Sequence, residues 1–414
     1  MRKTTFGGFL AAMILIGGAV WFGSGLSSEP FAHSPQFPNY VEQGLAWVVE
    51  AQHENGGWGT GSHANQKLRD PHQVETDPAT TAFSAMALMR AGNTPSSGKY
   101  ADAVRRATEH LVTVVEEYPA EGPRITDLEG TQTQVKMGNL VDTSMAVLFF
   151  SRLLPHMERG TLRNRVDVAL EKCLVKLQGS QTENGAWDQA GWAGVLQSSI
   201  GCSALEFARA AGKEVDEDML AGARDYHRSN FNMGTGTASG ADGAGVELYA
   251  YSSSRRAVAG QAKAAQDLID DAKEKGELEK DAPVSIENLK SIGVDESKAA
   301  PLLDAYKQAE AQVDRLDDES MLSGFGNNGG EEYLSYMLTS ESLVITGGEA
   351  WEKWNATMQE RLAKIQREDG SWTGLHCITG PVFCTSAVLQ CLTAGEDADL
   401  LSTISTNDVD FSRE

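Results

Sequence analysis

One heptapeptide, written three times, constrains this chain more than anything else in it: Gln52-His-Glu-Asn-Gly56-Gly-Trp58, Gln181-Thr-Glu-Asn-Gly185-Ala-Trp187 and Gln366-Arg-Glu-Asp-Gly370-Ser-Trp372. The copies stand at roughly two and three times a common period of about 62 to 65 residues, the mark of a repeat whose intermediate copies have decayed. Degenerate helix ends with glycine occur between them, at Glu116 to Gly122 and Asn230 to Gly234. Each clear copy reads as a helix-ending staple. The glutamine in the last turn reaches the free carbonyls of its helix, the Asn/Asp-Gly pair supplies a left-handed cap, and the tryptophan folds back as an apolar plug.

Two helix types alternate around these staples. Amphipathic, charged members run over Tyr40 to Gln52, Tyr100 to Tyr118, Thr161 to Gln178, Asp216 to Asn230 and Glu349 to Arg367. Members without a polar face begin at Pro78, Asp142, Gln197, Tyr333 and Thr385. A helix apolar on every side must be covered on every side, so the second type forms an inner ring and the first an outer one. The pattern fills residues 36–396 as one unit of six helix pairs, followed by an acidic tail, 397–414. Residues 255–320, rich in Ala, Lys, Glu and Asp, read as a solvated helical excursion within it, or as an arm that docks a partner. Its last arm, Ala300 to Leu316, can double as an outer helix. As a mere excursion it should tolerate deletion of Gln261 to Asp295 without loss of folding.

An outer helix, Gln, Gly-x-Trp and then a small-residue inner helix resembles the repeat shared by squalene and hopene cyclases and protein prenyltransferase β subunits. The resemblance implies an all-α (α/α)6 toroid with a helical insertion, and a central cavity for a hydrophobic, isoprenoid-like ligand. It implies no particular reaction. The cyclase Asp-x-Asp-Asp segment is missing: Asp267-Leu-Ile-Asp270-Asp271 and Asp314-Arg-Leu-Asp317-Asp318 have the wrong spacing. The prenyltransferase zinc pair Asp-x-Cys is missing too, since no cysteine here has Asp two residues before it.

Acidic residues number 58 against 35 basic ones, a formal net charge of −23, which opposes nucleic acid and anionic membranes as partners. Arg2 and Lys3 precede an uncharged stretch from Phe6 to Leu26, so residues 1–28 read as a cleaved signal peptide or an N-terminal membrane anchor, with the body exported. Five cysteines in an exported chain of this size are no disulfide framework. A Cys377–Cys384 or Cys173–Cys202 bridge stays open.

Inner helices that begin at one mouth would gather Asp77, Thr80, Asp142, Gln197, Glu331, Glu332 and His376 there. Facing carboxylates in an apolar setting raise one another's pKa and can serve as general acid and base. Asp77 before Pro78, and Asp142 at its helix start, are also simple capping residues. Glu331 and Glu332 also suit the positive end of a helix dipole, yet as two adjacent acids opening an apolar helix they are the foremost catalytic candidates, with His376, Asp142 and Asp77 behind them. His376, Cys377 and Cys384, with a further carboxylate, are candidate ligands for zinc, although buried thiols and a hydrogen-bonded histidine suit the same pattern. Gly324-Phe-Gly326-Asn-Asn-Gly329 matches a dinucleotide fingerprint by letters but follows a helix, not a strand. Three functions fit: a hydrophobic-ligand protein or enzyme, a non-catalytic exported scaffold that binds a protein or glycan, and a polysaccharide-acting toroid. Cavity lining discriminates among them.

Overall fold

The computed structural model describes residues 35–187, 190–326 and 328–404. The signal or anchor segment, 1–28, and the end of the acidic tail, 405–414, lie outside the described residues. In chain order the helices are α1 (Asn39–Glu50), α2 (Pro78–Arg90), α3 (Ala101–Glu117), α4 (Gln132–Met137), α5 (Val141–Leu153), α6 (Thr161–Gln178), α7 (Gly194–Ala210), α8 (Glu217–Ser229), α9 (Glu247–Glu274), α10 (Ile286–Ser291), α11 (Glu296–Val313), α12 (Glu319–Leu322), α13 (Gly330–Thr346), α14 (Gly348–Ala363) and α15 (Pro381–Leu392). A two-residue hairpin, β1 (Phe231–Asn232) with β2 (Thr237–Ala238), precedes α9.

The inner helices close on themselves. α2 packs on α5, α5 on α7, α7 on α9, α9 on α13, α13 on α15, and α15 again on α2. α1, α3, α6, α8, α11 and α14 form the outer ring, which makes the molecule an (α/α)6 toroid. Composition explains the layering. Every residue of α2, α5 and α15 is buried, and their Ala, Ser and Thr positions let neighbouring backbones approach closely. α3 instead buries a single stripe, Val104, Ala107, Thr108, Leu111, Val112 and Val115, against the ring. Each large apolar side chain in such a stripe contributes about 1.5–3 kcal/mol by leaving water.

The staples bind differently from the reading of the sequence. The tryptophan, not the glutamine, takes the helix carbonyl: Trp58, Trp187 and Trp372 donate from Nε1 to Val48, Leu177 and Leu362 oxygens at 2.7, 2.9 and 2.8 Å. An indole N–H that must be paired when buried thereby caps the outer helix. The glutamine clamps its own loop onto the next outer helix. Gln52 donates to Gly56 and Ala103 carbonyls at 2.8 and 2.9 Å, and Gln181 to Gly185 and Met219 carbonyls at 3.0 and 2.8 Å. Gly56 has φ +87°, and a Cβ there would stand 2.5 Å from the Arg106 carbonyl oxygen, so the position tolerates only glycine.

At the C-terminal end of the inner helices an ion-pair network spans the ring. Glu341 on α13 pairs with Arg90 on α2, Arg152 on α5 and Arg256 on α9; Asp397 also pairs with Arg90 and Arg152; Glu206 pairs with Arg256 and Arg224. These side chains are almost wholly buried. Arg152 and Glu341 stand on opposite sides of the ring, so charged side chains fill its centre here. Above them Phe83 stacks on Phe383 with ring centroids 4.8 Å apart. At the level of these ion pairs, charged side chains occupy the middle of the ring.

The excursion also needs correction. α9 opens inside the ring, where Tyr249, Tyr251, Arg255 and Arg256 are buried, and simply continues outward to Glu274. Its outer half and α10 share a satellite core with α11, formed by Leu268, Ile269, Leu289, Val294, Leu302 and Leu303. α11 is the fifth outer helix, as the Ala300 to Leu316 reading required.

Candidate functional site

The inner helices all begin at one end, as their hydrogen bonds show. Asp77 caps α2, accepting from Thr80 and Thr60 N–H at 2.7 and 2.9 Å. Asp142 does not cap its own helix. It accepts the Ala79 N–H of α2 at 3.0 Å and the Gln134 side-chain amide at 2.7 Å. Gln197 accepts the Leu140 N–H at 2.8 Å. Burial, and then Asp142, pushes the Asp77 carboxyl up to about 7; burial likewise raises that of Asp142. The capping account holds for Asp77; Asp142 instead ties the start of α2 to α4, accepting from Ala79 and Gln134 rather than capping α5.

Glu331 and Glu332 open α13 side by side and are buried. Glu332 Oε2 reaches back to the Gly329 N–H at 2.9 Å, half of a capping box, while Oε1 accepts the Tyr249 hydroxyl at 2.6 Å and the Phe325 N–H at 2.9 Å. Glu331 accepts the Ile378 N–H at 3.1 Å and the Cys377 thiol. Burial, then the charge of Glu332, raises the Glu331 carboxyl to about 8, so it is largely neutral at pH 7. Burial and Glu331 push the Cys377 thiol up to about 12, and burial and Glu332 raise the Tyr249 hydroxyl.

Over these acids lies an apolar rim. Trp192, Phe325 and Leu375 are 57%, 55% and 70% exposed. Phe325 meets Trp192 edge-on at 6.4 Å and the His376 ring at 5.3 Å, and His376 Nε2 lies 3.7 Å from Glu332. Lys136, at the end of α4, holds its Nζ 4.5 Å from the centre of the Trp192 ring. The backbone is strained at the same place. Asn328 and Cys377 have φ of +56° and +58°, the left-handed region that costs a non-glycine residue about 1–3 kcal/mol. Cross-links between the loops hold them there: Leu375 N–H to the Asn328 carbonyl at 2.7 Å, Gly330 N–H to the Ile378 carbonyl at 2.9 Å, and the Gln66 amide to the Cys377 carbonyl.

The zinc reading fails on geometry. Among the described residues no three of His, Cys, Asp and Glu come together as a metal site. Cys384 turns into α15 toward the Ile378 carbonyl, while His376 goes to Glu332. Neither disulfide forms among the described residues. Of the candidates, Glu331, Glu332 and His376 do converge. Lys136, Tyr249, Trp192 and Phe325 were missed, since they sit outside the heptapeptides and meet only through ring closure. Exposed Trp192, an aromatic with no place in the staple, was the one available signal.

Residues 23–119 match the family model of the squalene–hopene cyclase C-terminal domain. The matched stretch contains the first of the three heptapeptides, Gln52 to Trp58. No curated protein matches the chain. Among solved structures, the type II terpene cyclase MstE from Scytonema in its apo form is similar at 13% identity and a TM-score of 0.43, covering 86% of this chain and 97% of its own. MstE with geranylgeranyl dihydroxybenzoate gives 12% and 0.42, over 88% and 97% of the two chains.

Proposed function

We propose that this toroid, whose first repeats match the squalene–hopene cyclase C-terminal domain, binds a hydrophobic, isoprenoid-like ligand at its mouth, with Glu331 available there as a general acid. One observation carries the reading: the exposed Trp192, Phe325 and Leu375 stand together beside the buried acid pair. Contiguous apolar surface bounded by polar groups marks a ligand or partner site. A neutral carboxyl near pH 7 can hand a proton to a ligand oxygen, where its pKa suits the working pH. It is too weak an acid to protonate a bare alkene. Native mass spectrometry of the chain, purified from an isoprenoid-producing host, should show a bound lipid mass that disappears in Trp192→Ala/Phe325→Ala. A bare wild-type chain would count against ligand binding. A folded Glu331→Gln/Glu332→Gln variant that keeps every activity found would remove the acid role.

The ion pairs that occupy the C-terminal end of the ring favour a second reading, a non-catalytic scaffold that uses the rim or the α9–α11 arm to hold a protein partner. Extracytoplasmic placement rests on residues 1–28 alone; among the described residues no helix is long and apolar enough to cross a membrane. A fractionation of cells producing the full chain tests it.

A further inference from the structure

The buried ion-pair network at the C-terminal end of the ring is uneven in charge. Among the described residues it joins four guanidiniums, of Arg90, Arg152, Arg224 and Arg256, to three carboxylates, of Glu206, Glu341 and Asp397. Arg256 Nη2 is buried there without an acceptor. Burial, and then the charge of Arg90, brings the Arg152 guanidinium down to about 9. Buried cations in excess of their counter-ions are costly, so a further negative charge is expected at the edge of the network. Arg224 is that edge. It shares Glu206 with Arg256 and lines a groove of 390 Å³ that α8 and α11 wall, with Leu220, Pro301 and Leu302 as its apolar side. The other charges of the groove offset one another: Arg209 pairs with Glu217 at 3.2 Å, and Lys298 stands against the exposed Asp218 in sign.

We propose that this groove is the docking site for segment 405–414 of the same chain, with Asp408 or Asp410 adding the missing negative charge beside Arg224 and with Val409 and Phe411 against the apolar side. The described residues fix where the segment starts. Leu401 and Ile404 are buried in the main core, and Asp397, shortly before them, is itself a member of the network. Ten residues reach about 33 Å when extended, whereas a ring of six helices spaced about 8–10 Å apart is roughly 20 Å across. The string Asp408-Val409-Asp410-Phe411 alternates acid and apolar, so an extended backbone sends both carboxylates to one side and both apolar groups to the other. Tethering raises the effective concentration of such a segment to the order of millimolar, which favours it over a second copy. A carboxylate on a guanidinium is among the stronger polar contacts available. The groove lies at the end of the ring opposite the mouth, so this docking is independent of the ligand reading.

The test is carbodiimide cross-linking of the full chain, mixed in equal parts with an isotopically heavy form of itself and mapped by mass. Lys298, the amine of the groove, should join Asp408 or Asp410 within one chain. In Asp408→Asn/Asp410→Asn, amide exchange across α8 and the first turn of α11 should quicken about tenfold, as loss of one charge-assisted contact allows, while exchange in α3 stays as it was. Asp408→Glu/Asp410→Glu should keep most of the protection. Cross-links found only between light and heavy chains overturn the own-chain occupant and assign the groove to a second copy. Absence of any Lys298 cross-link to either aspartate, with exchange unchanged in the Asn variant, overturns the docking altogether. Unchanged exchange in the Asn variant overturns the charge role even where the cross-link forms.

Discussion

Gln366 donates from Nε2 to the main-chain carbonyl of Tyr40 at 2.7 Å, joining the sixth outer helix to the first. The same amide holds the Gly370 carbonyl of its own loop at 2.8 Å. The third staple is thus the seam of the ring, performing between chain ends what the other two perform between successive repeats. Gln366→Ala removes both bonds and should lower stability by about 1–3 kcal/mol, read as a urea midpoint shift. Amide exchange should quicken in α1 above all. An unchanged midpoint would show that the seam is held by packing alone.

The ring-spanning network sets the acid limit. Against the upward push of burial, Arg90, Arg256 and Arg152 hold the Glu341 carboxyl down at about 2, below its ordinary 4.5. A depressed carboxyl contributes stability that is complete above its unfolded value and is lost as the pH falls through the folded one. The loss should therefore run from about pH 4.5 down to about 2, and Glu341→Gln should lack it. Glu341→Ala takes one carboxylate from each of three buried arginines, which keep only Asp397 or Glu206, and should cost about 3 kcal/mol. The exposed Lys99–Glu42 pair, removed as a control, should cost no more than about 1 kcal/mol.

Glu331 works in the opposite direction. Its folded carboxyl, near 8, lies above the ordinary 4.5, so ionisation is harder in the folded chain. Stability from this group is complete below about pH 4.5 and drains as the pH rises toward 8. Asp77 adds the same trend between 3.8 and about 7. Thermal melts should show maximal stability on the acid side of neutrality, and Glu331→Gln should flatten the alkaline decline. A decline of unchanged slope in that variant would mean that other groups carry it.

Reductant should leave the melting temperature unchanged, since no disulfide forms among the described residues. In the native chain a thiol reagent should label Cys377 alone, and slowly, because that half-buried thiol is pushed up to about 12 while the other four are buried. Labelling of all five before unfolding would contradict the packing around α15 and α6.

Deleting Gln261 to Asp295, harmless for a solvated excursion, is now expected to reduce soluble yield. It removes Leu268, Ile269 and Leu289 from the satellite core and uncovers Leu302 and Leu303 on the outer helix α11. Full recovery of folded protein would restore the excursion reading.

Local sequence determined the elements and their layers. Three Gln…Gly-x-Trp staples specify where outer helices stop, because a glycine at positive φ and an indole N–H seeking a carbonyl are local chemistry. Helices without a polar face can only be interior, which is enough to predict six pairs and a closed ring. Glu331, Glu332 and His376 were legible for a similar reason: acids and a histidine beside glycine-rich breaks at inner helix starts are conspicuous in the string. Tertiary structure alone decided the rest. Arg152 and Glu341 face each other only because the ring closes. Lys136 meets Trp192 and Glu331 from separate repeats, and no spacing along the chain encodes that meeting. Side-chain reach across a ring depends on its diameter and on the angle of each helix, and these come from the sum of all interhelical packing, not from any one segment.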